Sequence, residues 1–293
     1  MTSKWTESDI PDQSGRTFIV TGANSGLGAV AARALATKNA HVVLACRNTA
    51  KGKEVADRIG ARAEVRALDL ADLSSVRAFA DTVENVDVLI NNAGVMAVPQ
   101  RKTADGFEMQ IGTNHLGHFA LTGLLLDRIT DRVVTMSSGA HAIGTIDLDD
   151  LNYEHRRYET WTAYGQSKLA NLLFTYELER RLAKAGSAVK SLAAHPGYAA
   201  TNLQSHMESF LDRVMAVGNA VVAQSAEMGA LPELYAATSP EARSGQFIGP
   251  DRLGGLRGHP TPGKSNKKSR DVEVAGKLWD LSEQLTGVRY SFG

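Results

Sequence analysis

Arg16-Thr17-Phe18-Ile19-Val20-Thr21-Gly22-Ala23-Asn24-Ser25-Gly26-Leu27-Gly28 decides the fold. Its first six residues read as a short buried strand, and Ala29 to Lys38, just beyond it, as an alanine-rich helix. Strand, glycine loop, helix is the order in which clustered glycines mean phosphate binding. The glycines let the backbone turn sharply and approach a pyrophosphate. The helix N-terminus offers free N–H groups and a partial positive charge. The spacing is Gly-x-x-x-Gly-x-Gly after a threonine, and the alternative is an ordinary tight turn. Candidate phosphate-loop residues are Gly22, Asn24, Ser25, Gly26, Leu27 and Gly28.

Reading outward, His41 to Cys46 is a second strand. An NAD site usually places an acid at its end to hold the ribose 2′-hydroxyl. Here Arg47 stands instead, which can face a 2′-phosphate and favours NADP; the alternative is a plain surface arginine, with Lys51 a second candidate cation. A helix over 50–59 and a strand over 63–68 lead to Asp69-Leu70. That acid can meet an adenine amino group or cap the next helix, 73–83. A fourth strand, 86–90, ends in Asn91-Asn92-Ala93-Gly94. Small and amide residues at the carboxyl end of a parallel strand belong at a ligand crevice, or tie loops together. A helical segment covers 104–129 with Asn114 in mid-course, where asparagine is unfavourable; it faces solvent or marks a water site. A fifth strand, 132–136, is closed by Ser137-Ser138. Residues 139–161 are an acidic, irregular insertion, and its acids lack the histidine partners a metal site calls for, so none is expected.

Tyr164-Gly165-Gln166-Ser167-Lys168 puts a tyrosine and a lysine on one face of a helix that starts near Thr162. A tyrosine is a poor acid or base at neutral pH, and a nearby cation favours its phenolate. The pair is a candidate proton donor and acceptor. A sixth strand, 189–194, ends in His195-Pro196-Gly197, with Thr201 following; His195 is read as structural. Residues 198–216 carry an apolar, Met-containing face that is a substrate lid or simple core. A helix over 225–237, a strand over 246–249 and a helix over 272–285 complete the chain, with 258–270 a surface loop. Residues 1–15 form a loose leader that Trp5 and Ile10 pin to the body.

Lys+Arg and Asp+Glu both number 32 among the 293 residues, so no basic excess points to nucleic acid or an anionic membrane. The one cysteine, Cys46, forms no internal disulfide. The N-terminus lacks a signal-peptide core, and no apolar run is long enough to span a bilayer. The expectation is a cytoplasmic protein. Strands alternate with helices from end to end, which argues a single α/β domain over 1–293: a doubly wound parallel sheet with helices on both faces.

Together, Thr21-Gly22-x-x-x-Gly26-x-Gly28, Asn91-Asn92-Ala93-Gly94, Asn114, Ser138, Tyr164-x-x-x-Lys168 and Pro196-Gly197 resemble the short-chain dehydrogenase/reductase family, a Rossmann fold. The finer texture is similar to the retinol-dehydrogenase and WW-domain-oxidoreductase branch, through Ala45-Cys46-Arg47 and Tyr164-Gly-Gln-Ser-Lys-Leu-Ala-Asn171. Ala199 stands where the family pattern has valine, and no membrane anchor is expected before the fold. The resemblance implies hydride transfer between NADP(H) and a carbonyl or alcohol, and the apolar content of 198–216 points to a lipophilic substrate: a retinal-like or long-chain aldehyde, or a ketone. Tyr164 would exchange the proton, Lys168 would lower the Tyr164 pKa and hold the nicotinamide ribose, and Ser138 would bind the substrate oxygen. Asn114 would hold a water linking Lys168 to solvent. Gly22 to Gly28, Arg47, Asp69, Leu70, Asn92, Ala93, Gly94, Pro196, Gly197 and Thr201 would line the cofactor. The resemblance also implies a homodimer or homotetramer formed through the helices near 104–129 and 162–185. The alternative function is a catalytically idle NADP-binding sensor or scaffold.

Overall fold

The computed structural model describes residues 4–198 and 224–292. Among them, eight strands form one sheet in the order β3-β2-β1-β4-β5-β6-β7-β8. The strands are β1 (Thr17–Thr21), β2 (His41–Cys46), β3 (Ala63–Ala67), β4 (Val86–Asn91), β5 (Ile129–Met136), β6 (Lys190–Ala194), β7 (Phe247–Arg252) and β8 (Arg257–Gly263). Seven run parallel and β8 pairs antiparallel with β7. The order reverses between β1 and β4, and in open parallel sheets that reversal opens a crevice at the carboxyl ends of the strands.

Strand side chains alternate between two buried faces. Phe18, Val20, Val42, Leu44, Val88, Ile90 and Val134 enter one core with α1 (Gly26–Thr37) and α7 (Ala226–Thr238). Ile19, Val43, Leu89 and Val133 enter the other with Phe79, Phe119, Phe174 and Trp279. Those four aromatics stand on α3 (Leu73–Asp81), α5 (Gly117–Leu125), α6 (Thr160–Lys184) and α8 (Val272–Thr286). On the first face α2 (Thr49–Ile59) packs beside α1. Burial on both faces is why the strands read as near-continuous apolar runs.

Two expectations are corrected, and the pinning of the leader is met. The segment 104–129 is not one helix. Lys102 and Glu108 form a β-bridge, and both Glu108 carboxylate oxygens accept the N–H groups of Gln110 and Ile111, so helix begins only at α4 (Met109–Ile111). The rod continues as a π-helical turn, Gly112–Leu116, then α5. Residues 258–270 are not a plain loop. Most of their first half is β8, an edge strand, where Pro260 and Pro262 are tolerated because one side of the strand needs no ladder. The leader is tied down: Trp5 meets Tyr235 edge-on at 5.3 Å, and Ile10 is buried.

Every residue from Ala163 to Leu178 in α6 is buried, with β5, β6 and α4 packed around it and α8 along one side, which places Trp279 against Phe174 and Phe119. An assembly through this stretch of α6 would have to displace α8.

On α7, Glu233 is fully buried and neither carboxylate oxygen has a hydrogen-bond partner among the described residues. Burial raises its pKa from 4.5 to about 8. The folded state then holds a proton that the unfolded state releases, so stability falls as pH rises from about 4.5 to about 8. Glu233→Gln is expected to leave the melting temperature nearly unchanged at the acid end of that window and to raise it by several degrees at the alkaline end. Thermal denaturation of both proteins across the window checks this.

Candidate active site

Four strand ends and one helix converge on the crevice. After β1 the chain turns at Gly22, whose φ is +68° and where a Cβ would lie 2.9 Å from that of Ala93. At Gly28 a Cβ would fall 2.5 Å from Asn92 Nδ2 and 2.9 Å from the Gly22 carbonyl. Glycine at both positions lets the loop close down on the end of β4. Ser25 precedes α1, yet its side chain makes no capping bond. The first-turn N–H groups of α1 are therefore left for an incoming acceptor, with no acidic residue in that turn to repel an anion. These features fit a dinucleotide pyrophosphate.

The β4 end is held by one hydroxyl. Thr21 Oγ1 accepts the N–H groups of Asn92 and Ala93, both at 2.9 Å. With both lone pairs engaged, its proton goes to His118 Nε2 at 2.9 Å. His118 Nδ1–H then donates to the Asn114 carbonyl at 3.0 Å. Burial keeps the ring neutral, with its pKa pushed down to about 4. Asn92 Nδ2 donates to the Thr21 carbonyl, and Asn91 Nδ2 to Thr122. So the amides do tie loops together at the crevice.

Asn114, in the π-helical turn, is fully buried rather than facing solvent. Its Oδ1 accepts from Val95 N–H, and its Nδ2 donates to the Val95 carbonyl and to Ser167 Oγ. It joins the loop after β4 to α6, one residue from Lys168.

Lys168 and Tyr164 are almost completely buried. Lys168 Nζ donates to the Met136 carbonyl at 3.1 Å, and Asn171 Nδ2 donates to the same oxygen at 3.0 Å. Ser137 Oγ donates to the Lys168 carbonyl. Ser138 Oγ accepts the Ala140 N–H and lies close enough to the Tyr164 hydroxyl to lower its pKa. Ser138, Tyr164, Lys168 and Asn114 are thus brought together. In this arrangement burial outweighs the expected help from the lysine: the Tyr164 phenol is pushed up to about 12, with the Ser138 hydroxyl acting the other way. Lys168 stands 5.7 Å from the ring centroid, and burial pulls its own pKa down to about 8.

The other predicted positions fall as follows. Arg47 is mostly exposed, 4.0 Å from Asp69 Oδ2. Asp69 does not cap the following helix; Asp72 does, and Asp69 accepts the Ala71 N–H. Leu70 is buried against Gly117. Gly94 lies beneath Asn114 Oδ1 and Lys168 Nζ. The Pro196 carbonyl accepts from Gln224 Nε2, and Gly197 N–H donates to His195 Nδ1. Thr201 and all but Tyr198 of the candidate lid lie outside the described residues. In the insertion, the Asp150 carboxylate accepts the N–H groups of Glu154, His155 and Arg156, and pairs with the Arg156 side chain. His118 carried no signal in the sequence, and Thr21 and Ser137 stood out only as members of motifs without a role of their own, since hydroxyl and imidazole groups carry no spacing signal.

A doubly wound dinucleotide fold with a half-buried serine beside a buried tyrosine and lysine at the carboxyl ends of its strands defines a class of nicotinamide-dependent oxidoreductases. The chain matches the short chain dehydrogenase family over residues 16–212 and belongs to it. It is 42% identical to human (Homo sapiens) retinol dehydrogenase 13 over 294 residues, which cover 94% of this chain and 85% of that one. Among solved structures it is similar to an uncharacterised protein from Mycobacterium Paratuberculosis, with a TM-score of 0.87, 52% identity, and 99% and 100% of the two chains covered. It is also similar to an NAD(P) dependent gluconate 5-dehydrogenase from Beutenbergia cavernae solved with bound NADP, with a TM-score of 0.63, 28% identity, and 81% and 96% covered.

Gly28→Ala is expected to destabilise the protein by about 1–3 kcal/mol, the usual cost of overpacking, and to weaken dinucleotide binding. Gly276→Ala, in α8 with open space at its Cβ, is expected to stabilise by about 0.5–1 kcal/mol. Thermal denaturation and cofactor titration of the two variants check this.

Proposed function

We propose that this chain is an NADP(H)-dependent oxidoreductase that interconverts a carbonyl and an alcohol on a lipophilic substrate, such as a retinal-like or long-chain aldehyde or a ketone. The observation that carries the reading is the convergence of Ser138, Tyr164 and Lys168 at the end of β5, with Asn114 behind them. When bound, the nicotinamide supplies or accepts the hydride. Tyr164 stays protonated through the neutral range and gives its proton to the substrate oxygen in the reductive direction. The Ser138 hydroxyl donates to the same oxygen and stabilises charge developing there. Lys168 holds the nicotinamide ribose hydroxyls, and Asn114 supports a water path from Lys168 to solvent.

The NADP preference is supported by Arg47, exposed after β2 where no acid follows the strand. Asp69, on the next strand end, lies 4.0 Å from that guanidinium. The lipophilic substrate is supported by Ile143 and Trp161, which are 55% and 45% exposed. Ile143 follows the Ser138 turn, and the Trp161 ring meets that of Tyr164 edge-on at 6.2 Å. The names of the retinol dehydrogenase relatives point the same way.

Tyr164→Phe is expected to lower carbonyl reduction by about 10²–10⁴-fold while NADPH binding persists. Steady-state rates against a panel from small aldehydes to retinal and steroid ketones, with parallel fluorescence titration, check this; undiminished turnover would sink the mechanism. Because the Tyr164 phenol lies near 12, alcohol oxidation is expected to rise steadily with pH from neutral into the alkaline range, while reduction holds level over the neutral range. A pH–rate profile in both directions reads this out. Arg47→Asp is expected to shift the NADPH/NADH preference toward NADH by about 10-fold or more, the worth of a lost charge-assisted bond. An unchanged ratio of kcat/KM values would remove Arg47 from the cofactor site.

A further inference from the structure

We propose that His141 is a positioning residue for the Ser138 hydroxyl, locked in one tautomer between the Ser138 carbonyl and the C-terminal segment around Asn266. The inference rests on the reading of Ser138 as the donor to the substrate oxygen.

Ser138 opens a 3-10 turn, Gly139–Ala142, and its Oγ accepts the Ala140 N–H at 3.2 Å. That contact leaves the hydroxyl proton for a partner beside Tyr164, so the direction of the hydroxyl depends on the turn. His141 closes the turn from the other side. Its Nδ1 lies 2.6 Å from the Ser138 carbonyl oxygen. A carbonyl only accepts, so Nδ1 carries the proton. In a neutral ring Nε2 must then accept, and the Asn266 backbone N–H points at it from 3.4 Å. Two independent neighbours demand the same tautomer. Asn266 Nδ2 also donates to the His141 carbonyl at 3.3 Å. The ring is nearly buried and stands edge-on to Phe247 at 5.6 Å, and burial lowers its pKa, in keeping with a neutral ring.

The segment that supplies Asn266 is itself anchored. Asn266 Oδ1 accepts the Ser269 N–H, and Ser269 Oγ donates to Ser265 Oγ, which is hydrogen-bonded to the Tyr176 hydroxyl of α6. Lys268 Nζ donates to the Gly144 carbonyl and to Thr145 Oγ1, just past the Ser138 turn. The residues after β8 are therefore a clamp joining α6 to the turn that presents Ser138. An error in placement near 1 Å at such a group costs roughly 100-fold in rate, so a clamp of this kind acts on turnover more than on affinity.

The test uses the full chain. Nitrogen-15 NMR of the imidazoles, with His141→Phe for assignment, is expected to show His141 neutral with Nδ1 protonated; an Nε2–H or charged ring near neutral pH overturns the proposal. With a carbonyl that wild type reduces, His141→Phe is expected to lower kcat by about 10- to 100-fold with the NADPH dissociation constant unchanged. His141→Asn, whose amide N–H reaches the Ser138 carbonyl, is expected to recover most of the loss. Wild-type rates in His141→Phe, or equal losses in both variants, overturn the proposal. A second pair stands in where His141→Phe does not fold. Asn266 has φ −68°, which proline adopts. Asn266→Pro removes the backbone N–H, Asn266→Ala keeps it, and the proline variant is expected to be the slower; equal rates overturn the clamp. A wild type without turnover on any carbonyl counts against the reductase reading, whereas the NMR result bears on the tautomer alone.

Discussion

An ammonium group removed from water must be held by oxygen atoms, and the rest of this site follows from how that is done for Lys168. The carbonyl of Met136 accepts both Lys168 Nζ and Asn171 Nδ2, while Ser137 Oγ returns a hydrogen bond to the Lys168 carbonyl. These contacts bolt α6 to the end of β5 at two levels. Met136 also precedes Ser137 and Ser138, so the oxygen that fixes the lysine belongs to the backbone that presents the serine. Tyr164, one turn before Lys168, arrives beside Ser138 as a consequence. Desolvation makes the lysine easier to neutralise and the phenol harder to ionise. A site so arranged enters the neutral range with its tyrosine as an acid.

The second support runs through hydrogen bonds that cross the crevice. Thr21 Oγ1 gathers the N–H groups that begin the turn after β4, and His118 carries the connection on to the Asn114 carbonyl. The Asn114 side chain completes it by reaching Val95 and Ser167. The glycine loop, the β4 end and α6 are thereby joined by groups whose donors and acceptors match. Next to Asn114, His115 Nε2 is hydrogen-bonded to Ser282 of α8, which extends the same support to the helix that buries α6. Pairing of buried polar groups at this density fixes one arrangement, because a broken link strands a desolvated donor or acceptor.

The fold was legible to different depths along the chain. The apolar strand before Gly22, and the helix pattern around Leu169, Leu172 and Leu173, are local signals that survive without neighbours. The long helix over 104–129 was misread because apolar periodicity says nothing about a carboxylate that caps from outside or about a π-helical turn. The strand β8 was missed for a related reason: Pro260 and Pro262 argue against a strand in the interior of a sheet, but not at its edge, and edge position is a property of the assembled sheet.

Residue identity and spacing determined by themselves the alternation of strands and helices, the glycine loop with its helix, and the tyrosine and lysine one turn apart, because each rests on interactions within a few residues. Tertiary structure alone decided which groups face one another: Ser138 against Tyr164, Thr21 beneath Asn92 and Ala93, His141 against Asn266, and α8 across α6. These contacts join residues up to about 170 positions apart, as His115 and Ser282 are. Sequence patterns carry periodicity but not register between distant segments, whereas the packed core admits one register and so selects the hydrogen-bond partners.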